Sequence, residues 1–280
     1  MKEAALSAGT LTTAQSRRLE ELHRAYNRRE YVHPDPLEFL YRYDDPRDRE
    51  IVGLVASSLA YGRVAQILRS VSGSLDRMRS PAEFIEAATP ESLRSAFRGF
   101  KHRFTTGAEM ASMLLAAKRM IGRYGSLQSC FCSGLGEGDE TVLPALCAFT
   151  SQLNSSVGLR RSSLVPLASD GSACKKLNLY LRWMVRRDGV DPGGWDDVPV
   201  SKLIVPLDTH MHRIGLALGL TTRRHANMRT ALEVTAAFRE VSPDDPVRYD
   251  FALTRLGIRD DLKVEDWLAA AAAPAKGAAV

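Results

Sequence analysis

Apolar positions recur at three- and four-residue intervals along most of this chain. Ile51, Leu54, Val55, Ser58 and Leu59 make one such stripe, and Ile67, Leu68, Val71, Leu75 and Met78 make another beyond an interruption near Gly62. That period places the apolar side chains on one side of a helix. Met110, Met113, Leu114, Ala117 and Ile121 predict a helix over about 107–124, and similar spacing predicts helices near 14–27, 82–88, 140–155, 173–187, 209–218, 227–240 and 245–257. Pro81, Pro90, Gly125, Pro166, Pro192, Pro199 and Pro243 fall where these helices should break. The chain contains no alternating strand pairs joined by hairpin turns, no strand–helix units and no internal repeat, so the expected fold class is all-α.

Two stretches stand apart from this pattern. Met1 to Thr13 is small and polar, and Ala269 to Val280 is an alanine tract with one proline and one glycine; both read as loose ends. Asp188 to Ser201 is rich in Asp, Gly and Pro, with Trp195 as its one expected anchor. It is long for a connection inside a compact domain, which makes it a linker, an insertion or a functional loop.

Composition narrows the class. With 45% apolar and 25% charged residues in 280, the chain is an ordinary globular protein rather than collagen-like, purely coiled-coil or disordered. The N-terminus has no apolar core of signal-peptide length, and no segment nears ~18 uninterrupted apolar residues. Cys130, Cys132, Cys147 and Cys174 are too few for a disulfide framework, and no second Cys or His pair stands at zinc-ligand spacing. The expectation is a cytoplasmic protein with no metal and no cofactor.

The charge is informative once located. Lys and Arg number 38 against 33 Asp and Glu. Between Lys175 and Thr230 there are ten basic residues (Lys175, Lys176, Arg182, Arg186, Arg187, Lys202, Arg213, Arg223, Arg224, Arg229) and five acids, so this window carries the whole surplus. A local basic zone suggests a polyanionic partner, most simply nucleic acid.

Two segments within that zone carry candidate chemistry. In Val205-Pro-Leu-Asp-Thr-His-Met-His-Arg-Ile214, Asp208 precedes an apolar-periodic run and reads as a helix N-cap. His210 and His212 resemble a metal pair, but two residues on a helix separate them by about 200°, so they cannot share one ion. In Gly171 to Val185, Cys174, Leu177, Leu181, Met184 and Val185 form a buried side, while Lys175, Asn178, Arg182 and Arg186 line a polar stripe. That stripe reads either as a solvated basic face or as the setting of a lysine amine available as a nucleophile.

Pro206-Leu-Asp-Thr-His with Arg213-Ile214, closed by Leu218-Gly-Leu220, resembles the Val-Asp-Thr-His-x-x-Arg signature of the helix-hairpin-helix-GPD DNA glycosylase superfamily. In that superfamily the Asp faces a Lys on the second helix of the hairpin. From Lys175, the following Leu177, Asn178, Leu179, Tyr180 and Leu181 are similar to the lysine helix of the endonuclease III branch; counted from Lys176 the match is poorer, so Lys176 is the reserve. The longer gap to Asp208 is similar to the archaeal 8-oxoguanine glycosylases. The usual Leu-Pro-Gly-Val-Gly hairpin is replaced by Leu167-Ala-Ser-Asp-Gly-Ser172, and no cysteine follows Cys174 to hold an iron–sulfur cluster. The chain also resembles an uncharacterised bacterial family over most of residues 30–258, through Arg42 to Glu50, Ser58 to Arg63, Phe104 to Gly107, Leu181 to Arg186 and Tyr249 to Leu253.

The glycosylase resemblance implies a two-lobed helical protein. One lobe would span 46–199 and end in the degenerate hairpin; the other would combine 14–45 with 200–262, leaving 1–13 as a disordered tail and 263–280 flexible. It implies excision of damaged bases from double-stranded DNA, with a flipped nucleotide attacked by Lys175 and charge stabilised by Asp208. Gly171, Ser172, Arg182, Arg186 and Arg213 would contact phosphates. Tyr61 and Arg63 would line the lesion pocket or wedge the stack. The alternative is a catalytically silent nucleic-acid binder on the same scaffold.

Overall fold

In the computed structural model, residues 9–155 and 164–256, with Trp267, are described. Helices dominate. The N-terminal helix α1 (Thr13–Tyr26) opens with a reciprocal cap, in which the Thr12 hydroxyl takes the Gln15 N–H and the Gln15 side chain takes the Thr12 N–H. The segment before this helix is packed: Leu11 is buried, and Gly9 lies so close to the Gly219 carbonyl that a β-carbon there would sit 1.8 Å from its oxygen. The expectation of a loose end over 1–13 is therefore corrected at residues 9–13. Residues 1–8 lie outside the described part, as do 263–266 and 268–280.

The centre of the molecule is α2 (Pro46–Ser58), buried without a break from Glu50 to Ser58. A helix apolar on all sides must be surrounded. It is enclosed by α3 (Val64–Leu75), α4 (Pro81–Ala87), α9 (Lys175–Val185) and a 3-10 turn over Pro36–Arg42. A second group packs around α6 (Gly107–Tyr124): α5 (Pro90–Ala96), α7 (Leu127–Cys132) and α8 (Leu143–Asn154). The remaining helices are α10 (Thr209–Ala217), α11 (Met228–Val241) and α12 (Asp250–Arg255), with α12 holding both α1 and α10. One continuous apolar cluster runs through all of these.

Several details depart from the expected layout. Pro46, Pro81 and Pro90 open helices rather than merely ending them, because the first helical residue has no intrahelical use for its N–H. Helices α5 and α7 were not predicted; at seven and six residues they are too short to show a period. A two-stranded antiparallel hairpin, β1 (Lys101–His102) with β2 (Thr105–Thr106), interrupts the otherwise helical fold. The N-terminal segment also divides: α1 packs on α12, whereas Pro36–Arg42 packs on α2 and α3.

Asp188 to Ser201 is no linker. Val190, Asp191, Trp195 and Val198 are all buried, and the Trp195 indole N–H donates to Glu50 at 3.2 Å. The loop is a strap that closes over α2 and α9, so Trp195 is one anchor among several.

Candidate functional site

Helix α10 starts at Asp208, whose Oδ1 accepts the Met211 N–H at 2.9 Å as the N-cap position demands. Helix α9 starts at Lys175, following Cys174, which holds a left-handed backbone (φ 46°, ψ 37°) and offers no side-chain cap. These two helix starts face each other. Lys175 Nζ stands 3.3 Å from Asp208 Oδ2, and each side chain keeps 32% of its exposure. Burial works to raise the Asp208 pKa, but the Lys175 ammonium and the Met211 amide outweigh it and hold the carboxyl below its ordinary value.

A second carboxylate lies behind this pair. Asp250, at the start of α12, is fully buried and feels both Asp208 and Lys175. Burial and the nearby Asp208 push it up to about 6 against the pull of Arg182, to which its Oδ2 is bonded; its Oδ1 has no hydrogen-bond partner.

Lys176 points elsewhere. Its ammonium lies 4.9 Å from the centroid of the Tyr61 ring. Burial first, and then the adjacent Lys175 charge, bring the Lys176 amine down to about 8. The Tyr61 hydroxyl donates to the His102 carbonyl at 2.9 Å and lies 2.7 Å from Thr105 Oγ1. The His102 ring stands edge-on to Tyr61, with Nε2 3.0 Å from the Tyr61 carbonyl and Nδ1 2.9 Å from the Ser70 hydroxyl. A carbonyl only accepts, so the proton is on Nε2 and Nδ1 accepts from Ser70. Tyr61 thus joins the hairpin to the lysine pair, while Arg63 is exposed at the start of α3.

Arg182 and Arg186, expected at phosphates, are corrected by the fold. Arg182 lies on the inner side of α9 and Arg186 directly follows its last residue, at 2% and 4% exposure. Arg182 binds Asp191 at 3.2 Å and also Asp250; Arg186 binds Asp188 at 2.6 Å, Asp245 at 2.9 Å and also Asp191. Four carboxylates leave these guanidiniums nothing to offer a ligand. Asn178 is buried too, donating to the Ala173 carbonyl at 3.0 Å. The polar stripe of α9 is therefore mostly an internal network, because the strap supplying Asp188 and Asp191 covers it. The alternation of Arg with apolar residues gave no hint of which face the strap would cover.

The other expected contacts are mixed. Arg213 is exposed on α10. Gly171 is exposed, with a left-handed backbone (φ 77°) and open space above it. Its N–H, however, goes to the Ala168 carbonyl at 3.2 Å and is not aimed at a ligand. Ser172 bridges to Asn227, and the Ser172 hydroxyl accepts the Cys174 N–H at 3.3 Å. The Met228 N–H donates to the Gly171 carbonyl at 3.0 Å, which brings the exposed Arg229 next to this turn. His210 and His212 bond separately, to the Leu253 and Arg223 carbonyls, as their spacing requires. Among the described residues, no three His, Cys, Asp or Glu side chains converge on a metal position.

Sequence reasoning missed Asp250, Thr105 and His102. Each sits in or beside a stretch already noted for the family resemblance: Tyr249 to Leu253 for Asp250, and Phe104 to Gly107 for the hairpin.

Residues 35–259 match the family described as "Protein of unknown function (DUF2400)". The chain belongs to this family. No curated protein and no solved structure matches it. The matched region contains every residue of the site, from Tyr61 through Lys175 and Asp208 to Asp250. No helix among the described residues is long and apolar enough to cross a membrane.

Proposed function

We propose that this protein is a DNA base-excision glycosylase with abasic-site lyase activity. One observation carries the reading above others: a lysine at one helix start stands 3.3 Å from a carboxylate capping another. The sequences around both residues are those that resemble the glycosylase superfamily.

The chemistry uses both groups. Lys175 passes a proton to Asp208, and the neutral amine attacks C1′ of a nucleotide flipped out of the duplex. The bond from C1′ to the base breaks, and the base leaves with the electron pair and takes up the proton. Asp208, again a carboxylate, offsets positive charge developing on the sugar. Opening of the sugar ring, with protonation of its oxygen, leaves a Schiff base between Nζ and C1′. Loss of a C2′ proton then expels the 3′-phosphate. Arg213 and Arg229, both exposed near the two helix starts, supply phosphate contacts.

A catalytically silent nucleic-acid binder is the second reading. It is favoured by the turn before α9, where Asp170 is exposed and the Gly171 N–H is spent internally.

Borohydride trapping separates the two. Duplexes carrying an abasic site, 8-oxoguanine, uracil or an oxidised pyrimidine are incubated with the protein, Lys175→Gln and Lys176→Gln. The expected result is a covalent adduct lost only in Lys175→Gln. Loss only in Lys176→Gln moves the nucleophile by one residue, to the amine held at about 8. No adduct and no base release on any duplex, despite salt-sensitive binding, would establish the silent binder.

A further inference from the structure

Lys175 and Lys176 are consecutive residues in the first turn of α9, and a helix turns adjacent side chains about 100° apart. Lys175 reaches the Asp208 carboxylate at the start of α10, while Lys176 lies over the Tyr61 ring beyond the end of α2. The two amines therefore flank the space between α10 and Tyr61, where a sugar must lie to meet Lys175. The Tyr61 side of that space is a fixed wall. Its hydroxyl is held by the His102 carbonyl and Thr105, and its carbonyl by the His102 ring.

Most titratable groups around the two lysines are already committed. Asp208 caps α10 with one oxygen and faces Lys175 with the other. Asp250 is buried behind them, and the buried His102 ring has both nitrogens occupied, with the Arg103 charge beside it. The Glu109 carboxylate accepts from the Thr106 N–H and hydroxyl at the start of α6, and burial pushes the Cys174 thiol up to about 11. Lys176 differs. Burial and the Lys175 charge bring its amine down to about 8, against smaller opposing effects of Cys174 and Glu109. A group titrating there gives and takes protons close to neutral pH, as a general base must.

We infer that Lys176 is the general base of the lyase step, removing the C2′ proton from the Schiff base formed by Lys175. This rests on the proposed glycosylase and lyase reading, and it fills a step for which that reading names no residue. The C2′–H electrons form a C1′=C2′ double bond as the iminium nitrogen takes up its π pair. The nitrogen pair then restores the C1′=N bond, the C1′=C2′ pair moves to C2′=C3′, and the C3′–O bond breaks with its electrons on the phosphate. Lys176 holds the proton, and water frees Lys175 by hydrolysing the imine.

The test uses the full chain and a duplex with one preformed abasic site, so that no base has to be excised. Borohydride trapping counts Schiff base, and denaturing gels without borohydride count nicked strands; their ratio isolates the elimination. In the unaltered protein this ratio should rise about tenfold from pH 6 to 7 and level off above about pH 8. Lys176→Gln and Lys176→Arg should both still form the adduct, but nick about 100-fold more slowly and lose that pH step. Arginine keeps a cation at Tyr61 and cannot act as a base, so nicking restored in Lys176→Arg would overturn the proposal in favour of a structural charge. Parental nicking in Lys176→Gln would overturn it as well. So would loss of the adduct in both variants, which places Lys176 at the nucleophilic step or in folding. In all three cases an adduct with the unaltered protein leaves the glycosylase and lyase reading standing. No adduct with the unaltered protein would overturn both.

Discussion

Asp208 divides its two oxygens between two tasks: Oδ1 receives the Met211 N–H, and Oδ2 faces the Lys175 ammonium. Asparagine is as good a cap as aspartate, so Asp208→Asn keeps the first task and removes the charge needed for the second. The expected outcome is a fall in base-release or lyase rate of about 100-fold or more, with a stability change under ~1 kcal/mol. Single-turnover cleavage and urea unfolding measure the two separately; a stable variant cleaving at the parental rate would remove Asp208 from the chemistry. Lys176 gives a prediction in pH. Its folded-state value, about 8, lies below the ordinary lysine value of 10.5, so between these the unfolded chain binds more protons. Stability attributable to this residue therefore rises as pH increases from 8 toward 10. Lys176→Gln should remove that rise, read as the difference between urea midpoints of the two proteins at pH 7, 8, 9 and 10.

Helix α9 shows how one element serves two ends. Its first turn carries the Lys175 amine to the surface, while Arg182 on its inner face and Arg186 at its C-terminal cap enter a network with Asp188, Asp191, Asp245 and Asp250. Removing one partner of a buried ion pair strands the others. Arg182→Met should thus cost about 3–5 kcal/mol in chemical denaturation. Arg213→Ala, on the exposed side of α10, should leave stability near parental and reduce the salt slope of duplex binding by about one. The opposite pattern would mean that the inner arginines, not the outer ones, meet the ligand. The loop before α3 has its own sensitivity: Gly62→Ala places a side chain at φ 103° and against Arg103, at an expected cost of about 1–2 kcal/mol.

Across the whole molecule, the surplus of five positive charges is real, but it is not distributed as a basic stripe. Of the ten cations between Lys175 and Thr230, Arg182 and Arg186 are internal and Arg223 pairs with Glu233. With about three exposed cations near the helix starts, duplex affinity should fall roughly 50-fold between 50 and 200 mM salt. Fluorescence anisotropy over that range measures it, and a flat response would exclude a phosphate-binding face. Residues from the stretches that carry the family resemblance meet partners that lie far away in the chain. Tyr61 meets Thr105, Glu50 meets Trp195, and Arg182 meets Asp250.

The sequence by itself determined the helical class, the longer helices, the cap at Asp208 and the separation of His210 from His212. These depend on neighbours within about four residues, where periodicity and capping chemistry act. It also brought Lys175 and Asp208 forward as a pair, though by resemblance rather than by physics. Only the tertiary structure decided that 188–201 is a packed strap, that Arg182 and Arg186 face inward, that Asp250 stands behind the pair, and that a hairpin anchors Tyr61 beside Lys176. An arginine reads alike in a solvated stripe and in a buried network. What separates the two is whether carboxylates from distant segments arrive to neutralise it, and that is set by how the helices pack.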